Sequence, residues 1–307
     1  MAPSPFAHEA LVYRDEPGFA EGAVPYLRAG VSAGELVFAL APPTGIALLR
    51  AALGDAAEQV RFLDVTDVGR NPARLIPLLR GLVDEADGRP TRGLSEPAWL
   101  GRPAEEMAEA LLHESLLNLA FEDTAGFRLR CAFDGSAVAK PVLRSAEHSH
   151  PVMVDAGTRR ISVRFDPEHA HAEFGGDLPA PESVSDVVHF CLDDLPDLRD
   201  LVGVRASAFG LPRDRALDLT LATNEIVTNS ICHGGERGTL RLWTDGDAFV
   251  CEVSDSGHIQ EPMVGRVAPR PSVQGGRGVW LANQLCDLVR IRSAAGTGTV
   301  VRLHVRR

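Results

Sequence analysis

Residues 219–235, reading LTLATNEIVTNSICHGG, constrain the fold more than any other stretch. Leu219, Leu221, Ile226, Val227 and Ile231 fit a largely buried helix. The polar residues are unusual for such a helix. Glu225 and Asn229 lie four apart, so they project from one face, one turn from each other. His233 extends the row by another four, and Gly234 and Gly235 form a C-terminal stop. A carboxylate, a carboxamide and an imidazole in one line form a candidate polar site. Taken alone, the stretch is equally a solvated face whose His233 complements the helix dipole.

The residues downstream favour the site. Asp255-Ser256-Gly257 comes next, then Gly275-Gly276-Arg277-Gly278, then Gly296-Thr297-Gly298-Thr299. In this order the four blocks resemble the N, G1, G2 and G3 boxes of the GHKL ATPase superfamily. They resemble most the bacterial anti-sigma-factor serine/threonine kinases and their actinobacterial relatives. The match runs from about residue 184 to the C-terminus. It includes the lead-in Leu192-Asp193-Asp194-Leu195-Pro196 and the helix start Leu211-Pro212-Arg213-Asp214-Arg215.

A chain of 307 residues suggests about two domains, and 45% hydrophobic residues suffice for ordinary cores. A net charge of −11 argues against broad nucleic-acid binding, which needs a basic face. Cys131, Cys191, Cys232, Cys251 and Cys286 form no CxxC pair and fall in expected strands or helices. They read as buried small hydrophobes of a reducing compartment. No apolar run approaches the roughly 18 residues that span a bilayer. The first residues, MAPSPFAHEALVYRDE, carry no basic region and no apolar signal core. The expected location is the cytoplasm, without membrane contact.

Along the first half, strands are expected at 9–13, 35–41, 59–65, near 94, at 127–133 and at 151–155. Helices are expected at 19–29, 45–53, 73–84, 104–121 and 138–146. This alternation predicts an α/β domain with a mostly parallel sheet and helices on both faces. A P-loop after such a strand needs GxxxxGK[ST]. At Ala41-Pro42-Pro43-Thr44-Gly45 no Lys follows and two prolines remove N–H donors, so no phosphate cradle is expected. This half resembles the MEDS sensory domain, a RecA-like relative found in a dichloromethane-responsive regulator and before anti-sigma-type ATPase domains. The resemblance rests on residues 8–13, ELVFALAPP, Glu114-Ser115-Leu116-Leu117-Asn118 and Ser149-His150-Pro151-Val152, and covers about residues 6–156.

His113-Glu114 resembles the His-Glu pair of histidine-kinase phosphoacceptor helices, which would make the chain a sensor histidine kinase. Those helices continue with a basic residue and a Pro, whereas Ser115 and Leu116 follow here. A helix surface position accounts for His113. His148-Ser149-His150 and His169-Ala170-His171, with Glu147, Glu168 and Glu173, would chelate a metal on strands, where i and i+2 share a face. An exposed polar linker is the simpler account.

Residues 157–183 are rich in charge, Gly and Pro and read as a linker, with an edge strand at 160–165. Beyond it, strands are expected at 186–192, 238–244, 249–254, 289–293 and 299–306, and helices at 195–209, from 212, and at 278–288. Asp245-Gly246-Asp247 is a strong hairpin signal. Paired strands with helices grouped on one face give an α+β sandwich. The expected domains are therefore 1–156, a MEDS-like sensory domain, and 184–307, a GHKL kinase domain.

The resemblance implies ATP and Mg²⁺ as cofactors. Asn229 would hold Mg²⁺ through a neutral oxygen. Glu225 would act as base toward an attacking hydroxyl. Asp255 would accept the adenine amino group, with Gly257 allowing close approach and Thr299 bonding through water. Gly275, Gly276 and Gly278 would expose N–H donors at a helix start to phosphates, with Arg277 beside them. Plain alternatives are a turn, a glycine hinge and a strand Thr. Three prolines between Gly257 and Gly275 indicate an irregular lid.

The implied function is an ATP-dependent anti-sigma factor and protein serine/threonine kinase. Its partners would be an RNA polymerase sigma factor and a STAS-type antagonist, with a small ligand for the first domain. A homodimer is expected. The alternatives are a nucleotide-binding, partner-switching module without transfer and the histidine kinase.

Overall fold

The computed structural model describes residues 6–155, 157–269 and 277–307. The chain divides into two compact units, Met1–Ala170 and His171–Arg307.

In the first unit the elements run β1 (Ala7–Tyr13), α1 (Glu16–Ser32), β2 (Leu36–Ala41), α2 (Pro43–Leu53), β3 (Val60–Asp64), α3 (Val65–Val68), α4 (Leu75–Glu85), β4 (Thr91–Ser95), α5 (Ala104–Phe121), β5 (Phe127–Asp134), α6 (Lys140–Ser149), β6 (Val152–Asp155) and β7 (Thr158–Ile161). The sheet order is β3-β2-β4-β5-β1-β6-β7. Every neighbouring pair is parallel except β6 with β7, which closes one edge antiparallel. The apolar run LVFALA becomes β2, with strands on both sides, as a buried parallel strand should. Alternation then sorts the side chains. Leu11, Val37, Ala39, Leu94 and Ala132 pack with Phe19, Leu27 and Leu49 of α1 and α2. Phe38 and Phe127 belong to the opposite face, where Phe127 meets Phe121 of α5. Asp15 caps α1 by accepting from the Gly18 amide at 2.8 Å.

The stretch read as a linker is not featureless. It carries β7 and the short helix α7 (His169–Phe174), and Phe174 is buried in the core of the second unit.

The second unit continues with β8 (Asp186–Phe190), α8 (Leu195–Phe209), α9 (Arg213–His233), β9 (Gly238–Asp245), β10 (Ala248–Asp255), α10 (Arg277–Leu285), β11 (Leu288–Ala294) and β12 (Gly298–Arg306). Its sheet, ordered β11-β12-β10-β9-β8, is antiparallel throughout. Gly210 ends α8 in the left-handed conformation, at φ 97°, which a Cβ disfavours. Phe249, Cys251 and Val253 of β10 and Val301, Leu303 and Val305 of β12 face one way. They build one core with Leu219, Ala222, Ile226 and Val227 of α9. The chain is thus an α/β domain with a mostly parallel sheet, followed by an α+β sandwich.

Two expectations about cysteine fail. Cys131, Cys251 and Cys286 are buried, but Cys232 is exposed and Cys191 half-buried. Cys232 sits on the solvent side of the last turn of α9, and Cys191 precedes a short 3-10 turn beyond β8.

Candidate nucleotide site

Helix α9 carries the polar row. Ile226, Val227 and Ser230 are buried, Glu225 and Asn229 are half-buried, and His233 is exposed at the C-terminal end. The start of α10 meets this row. A Cβ at Gly278 would fall 2.9 Å from Glu225 Oε2 and 3.1 Å from Asn229 Nδ2. Only a residue without a side chain lets α10 begin so close. Arg277, the first residue of α10, is exposed. Gly275 and Gly276 lie outside the described residues.

Strand β10 ends at Asp255, directly across the ladder from Thr299 of β12. Both continue the strand positions that face the helices. The Asp255 carboxylate is doubly held: Oδ2 accepts from the Ser230 hydroxyl at 2.5 Å and Oδ1 from the Gly257 amide at 2.8 Å. The Thr299 hydroxyl donates to the Gly257 carbonyl at 3.0 Å and shares a hydrogen bond with Ser293 at 2.7 Å. Ser293 Oγ in turn accepts from the Ile259 amide at 2.8 Å. Gly257 is needed for packing. Its Cβ would fall 2.8 Å from both Gly234 Cα and the His233 carbonyl, where the end of α9 passes the end of β10.

These groups enclose a cavity of about 230 Å³ between α9, α10 and the sheet. Ile226, Ile259, Val264, Val279 and Val301 give it apolar walls, and Asp255 and Thr299 polar points. It is smaller than the ~300–1,000 Å³ typical of drug-sized ligands, which suits a purine base more than a whole nucleotide. The donor sets fit the rest. Asn229 opens onto the cavity with a neutral oxygen ligand suited to a hard cation beside phosphates. Next to it α10 presents a helix N-terminus.

The structure therefore brings together Glu225, Asn229 and Gly278, and separately ties Asp255, Gly257 and Thr299 into one hydrogen-bonded group. The sequence reading missed Ser230 and Ser293, and saw in Gly234 a helix stop but not its close approach to Asp255 and Gly257. Ser230 stands about 100° round the helix from Asn229, toward the sheet, and only the placement of β10 gives it a role.

The histidines of the first unit depart from both accounts given for them. His113 is not on a helix surface; it is 2% exposed, with Nδ1 against the Glu109 carbonyl at 2.8 Å. His148 and His150 are not on a strand. They flank the end of α6, where successive residues point apart. His148 meets His169 with the rings tilted 35° and 4.9 Å apart, near Asp166, whereas His150 is fully buried near His8, Glu114 and Cys131. His171 and Glu173 are exposed on α7.

Comparison with known families agrees with this division. Residues 7–151 match the MEDS family, described as the methanogen/methylotroph, DcmR sensory domain. Residues 191–305 match the histidine kinase-like ATPase domain. No curated protein matches the chain. No helix among the described residues is long and apolar enough to cross a membrane. The chain thus joins a MEDS domain at residues 7–151 to a histidine kinase-like ATPase domain at residues 191–305.

Proposed function

We propose that the chain is an ATP-dependent anti-sigma factor and protein serine/threonine kinase. It holds an RNA polymerase sigma factor inactive and phosphorylates a STAS-type antagonist protein. The coarser statement follows from the domains themselves: a kinase-like ATPase preceded by a sensory domain is a kinase-like regulator. The observation that carries the finer one is the meeting of Glu225 and Asn229 with Gly278 at the start of α10. A potential base and a neutral metal ligand stand beside a helix N-terminus.

In this reading Asp255 and Thr299 orient the adenine base in the cavity. Arg277 and Gly278 at the start of α10 bind phosphate, together with Gly276, which lies outside the described residues. Asn229 would hold Mg²⁺, which would neutralise phosphate charge. Glu225 would take the proton from the Ser or Thr hydroxyl of the antagonist as that oxygen bonds to the γ-phosphorus and the bond from the γ-phosphorus to the β–γ bridging oxygen breaks, releasing ADP. The MEDS domain tunes this activity in response to a small ligand or a partner. The protein works in the cytoplasm as a homodimer.

Transfer to His113 is opposed by its burial, which keeps a phosphoryl donor away. Incubation of the full chain with labelled ATP and a candidate antagonist tests the proposal. Acid-stable label on the antagonist supports it. Nucleotide binding without any transfer points to a partner-switching module, and acid-labile label on the chain itself points to a histidine kinase.

A further inference from the structure

Four side chains from four elements converge inside the first unit, away from the nucleotide site. His8 lies on β1, Cys131 on β5, Glu114 on α5, and His150 follows α6. All four are essentially solvent-free, none more than 2% exposed. Their potential ligand atoms lie within 4.8 Å of one another. His150 Nε2 is 3.2 Å and His8 Nε2 3.7 Å from Glu114 Oε2, and Cys131 Sγ is 3.4 Å from His8 Nε2.

The hydrogen bonds around the cluster decide which atoms face inward. His150 Nδ1 is 2.9 Å from both the Ala146 carbonyl and the Ser149 hydroxyl; the carbonyl can only accept and the hydroxyl donates to the Ser145 carbonyl at 3.0 Å, so Nδ1 carries the proton. His8 Nδ1 is 3.1 Å from Asn118 Oδ1. The Asn118 amide is fixed because its Nδ2 donates to the Ser149 carbonyl at 2.7 Å, so His8 Nδ1 is also the donor. Both neutral imidazoles then present a bare Nε2 to a carboxylate. Three acceptors face one another, and the single Cys131 S–H proton can serve only one of them. Glu114 Oε2 and His150 Nε2 indeed have no hydrogen-bond partner among the described residues.

We propose that His8, Glu114, Cys131 and His150 form a buried tetrahedral site for a divalent transition metal of the zinc class. Bonds of about 2.0–2.3 Å to N, O and S imply ligand separations of about 3.3–3.6 Å in a tetrahedron, close to the three separations above, 3.2, 3.4 and 3.7 Å, with all four atoms within 4.8 Å of one another. Two neutral imidazoles, a carboxylate and a thiolate balance a dication, so the filled site is neutral. Binding releases the Cys131 proton to solvent. Asn118 and the Ala146 carbonyl orient the two imidazoles in the manner of outer-shell partners at metal centres. With four protein ligands and no solvent, the site suits a metal that locks β1, β5, α5 and the end of α6 together, not one that activates water. It is independent of the kinase reading.

The test uses the full chain, stripped with chelator, checked for folding by circular dichroism and titrated with Co²⁺, then with competing Zn²⁺. The expected result is one tight Co²⁺ per chain, intense visible bands of tetrahedral cobalt, a near-ultraviolet thiolate-to-cobalt band, and displacement by Zn²⁺. Cys131→Ser should abolish the thiolate band, and Asn118→Ala should weaken binding by about 10–100-fold. A folded wild-type chain that binds neither ion stoichiometrically overturns the proposal, whatever the variants do. So does binding without a thiolate band, or binding lost in His148→Ala, which would place the ion near His148, Asp166 and His169.

Discussion

The Ser230 hydroxyl donates to Asp255 Oδ2 at 2.5 Å, tying the end of β10 to α9 one residue beyond Asn229. This bond links the floor of the cavity to the helix that carries the polar row. Ser230→Ala should cost about 1–2 kcal/mol of stability, since it leaves a half-buried carboxylate short of a donor. It should also weaken ATP binding about tenfold, or about 1.4 kcal/mol, by freeing the Asp255 side chain to turn. Denaturant unfolding and calorimetric titration check the two effects; ATP affinity equal to wild type would remove Asp255 from the base contact.

Gly278 separates packing from chemistry. Alanine suits a helix better than glycine by about 0.5–1 kcal/mol, which offsets part of the crowding its Cβ meets 3.2 Å from Glu225 Cβ, so Gly278→Ala should lower the melting temperature only slightly. Its Cβ would press on Glu225 Oε2 and Asn229 Nδ2 and push both side chains aside. Transfer to the antagonist should fall at least ~10-fold, because small misplacements at a reacting centre are costly. A Gly278→Ala chain with full transfer would show that the contact between α10 and the row is not used.

The start of the second unit can be tested by truncation. Phe174 is 3% exposed in the core of that unit, and Arg302 donates to the Pro179 carbonyl at 3.0 Å. A fragment from residue 171 should fold and bind Mg-ATP. One from residue 184 should be less stable by about 1.5–3 kcal/mol, the value of burying one large apolar side chain. Equal stability would show that residues 171–183 contribute nothing to the second core.

Glu96 makes stability depend on pH. Burial raises its pKa, opposed by the Tyr13 hydrogen bond at 2.8 Å and assisted by the nearby Asp134 charge. A raised carboxyl is protonated more readily in the folded chain than in the unfolded one. Its contribution is therefore complete below the unfolded value and lost as pH rises through the folded value. Glu96→Gln, which stays neutral and still accepts from Tyr13, should stabilise the first unit at pH 8 and leave it unchanged near pH 4. Urea unfolding followed by Trp99 fluorescence, with Trp243→Phe and Trp280→Phe as background, reads this out. A gain larger at pH 4 than at pH 8 would contradict it.

Much of this architecture was legible along the chain because its signals are local. LVFALA, the Gly210 stop and Asp245-Gly246-Asp247 each act within a few residues, and each gave the expected element. The row from Glu225 to His233 was legible for the same reason, being one helix read at its own period. What was hidden depends on pairing between distant segments. His8 and Cys131 share a face because β1 and β5 pair in parallel with Ala10 opposite Cys131, and no spacing in the sequence encodes that register. The period of two that linked His148 to His150 holds only on a strand, and α6 continues to Ser149. Ser230 reads as an ordinary buried helix residue until Asp255 is placed beside it.

The central claim is the division of labour between Glu225 and Asn229, and one comparison tests it most directly. ATP affinity, melting temperature and phosphorylation of the antagonist are measured for wild type, Asn229→Ala and Glu225→Gln. Asn229→Ala should weaken Mg-ATP binding itself, since the metal bridges protein and phosphates. Glu225→Gln should bind nucleotide almost normally but transfer about 10²–10⁴-fold more slowly, nearer the lower figure because phosphoryl transfer relies mainly on positioning and charge neutralisation. A Glu225→Gln chain that phosphorylates the antagonist at the wild-type rate would contradict the account.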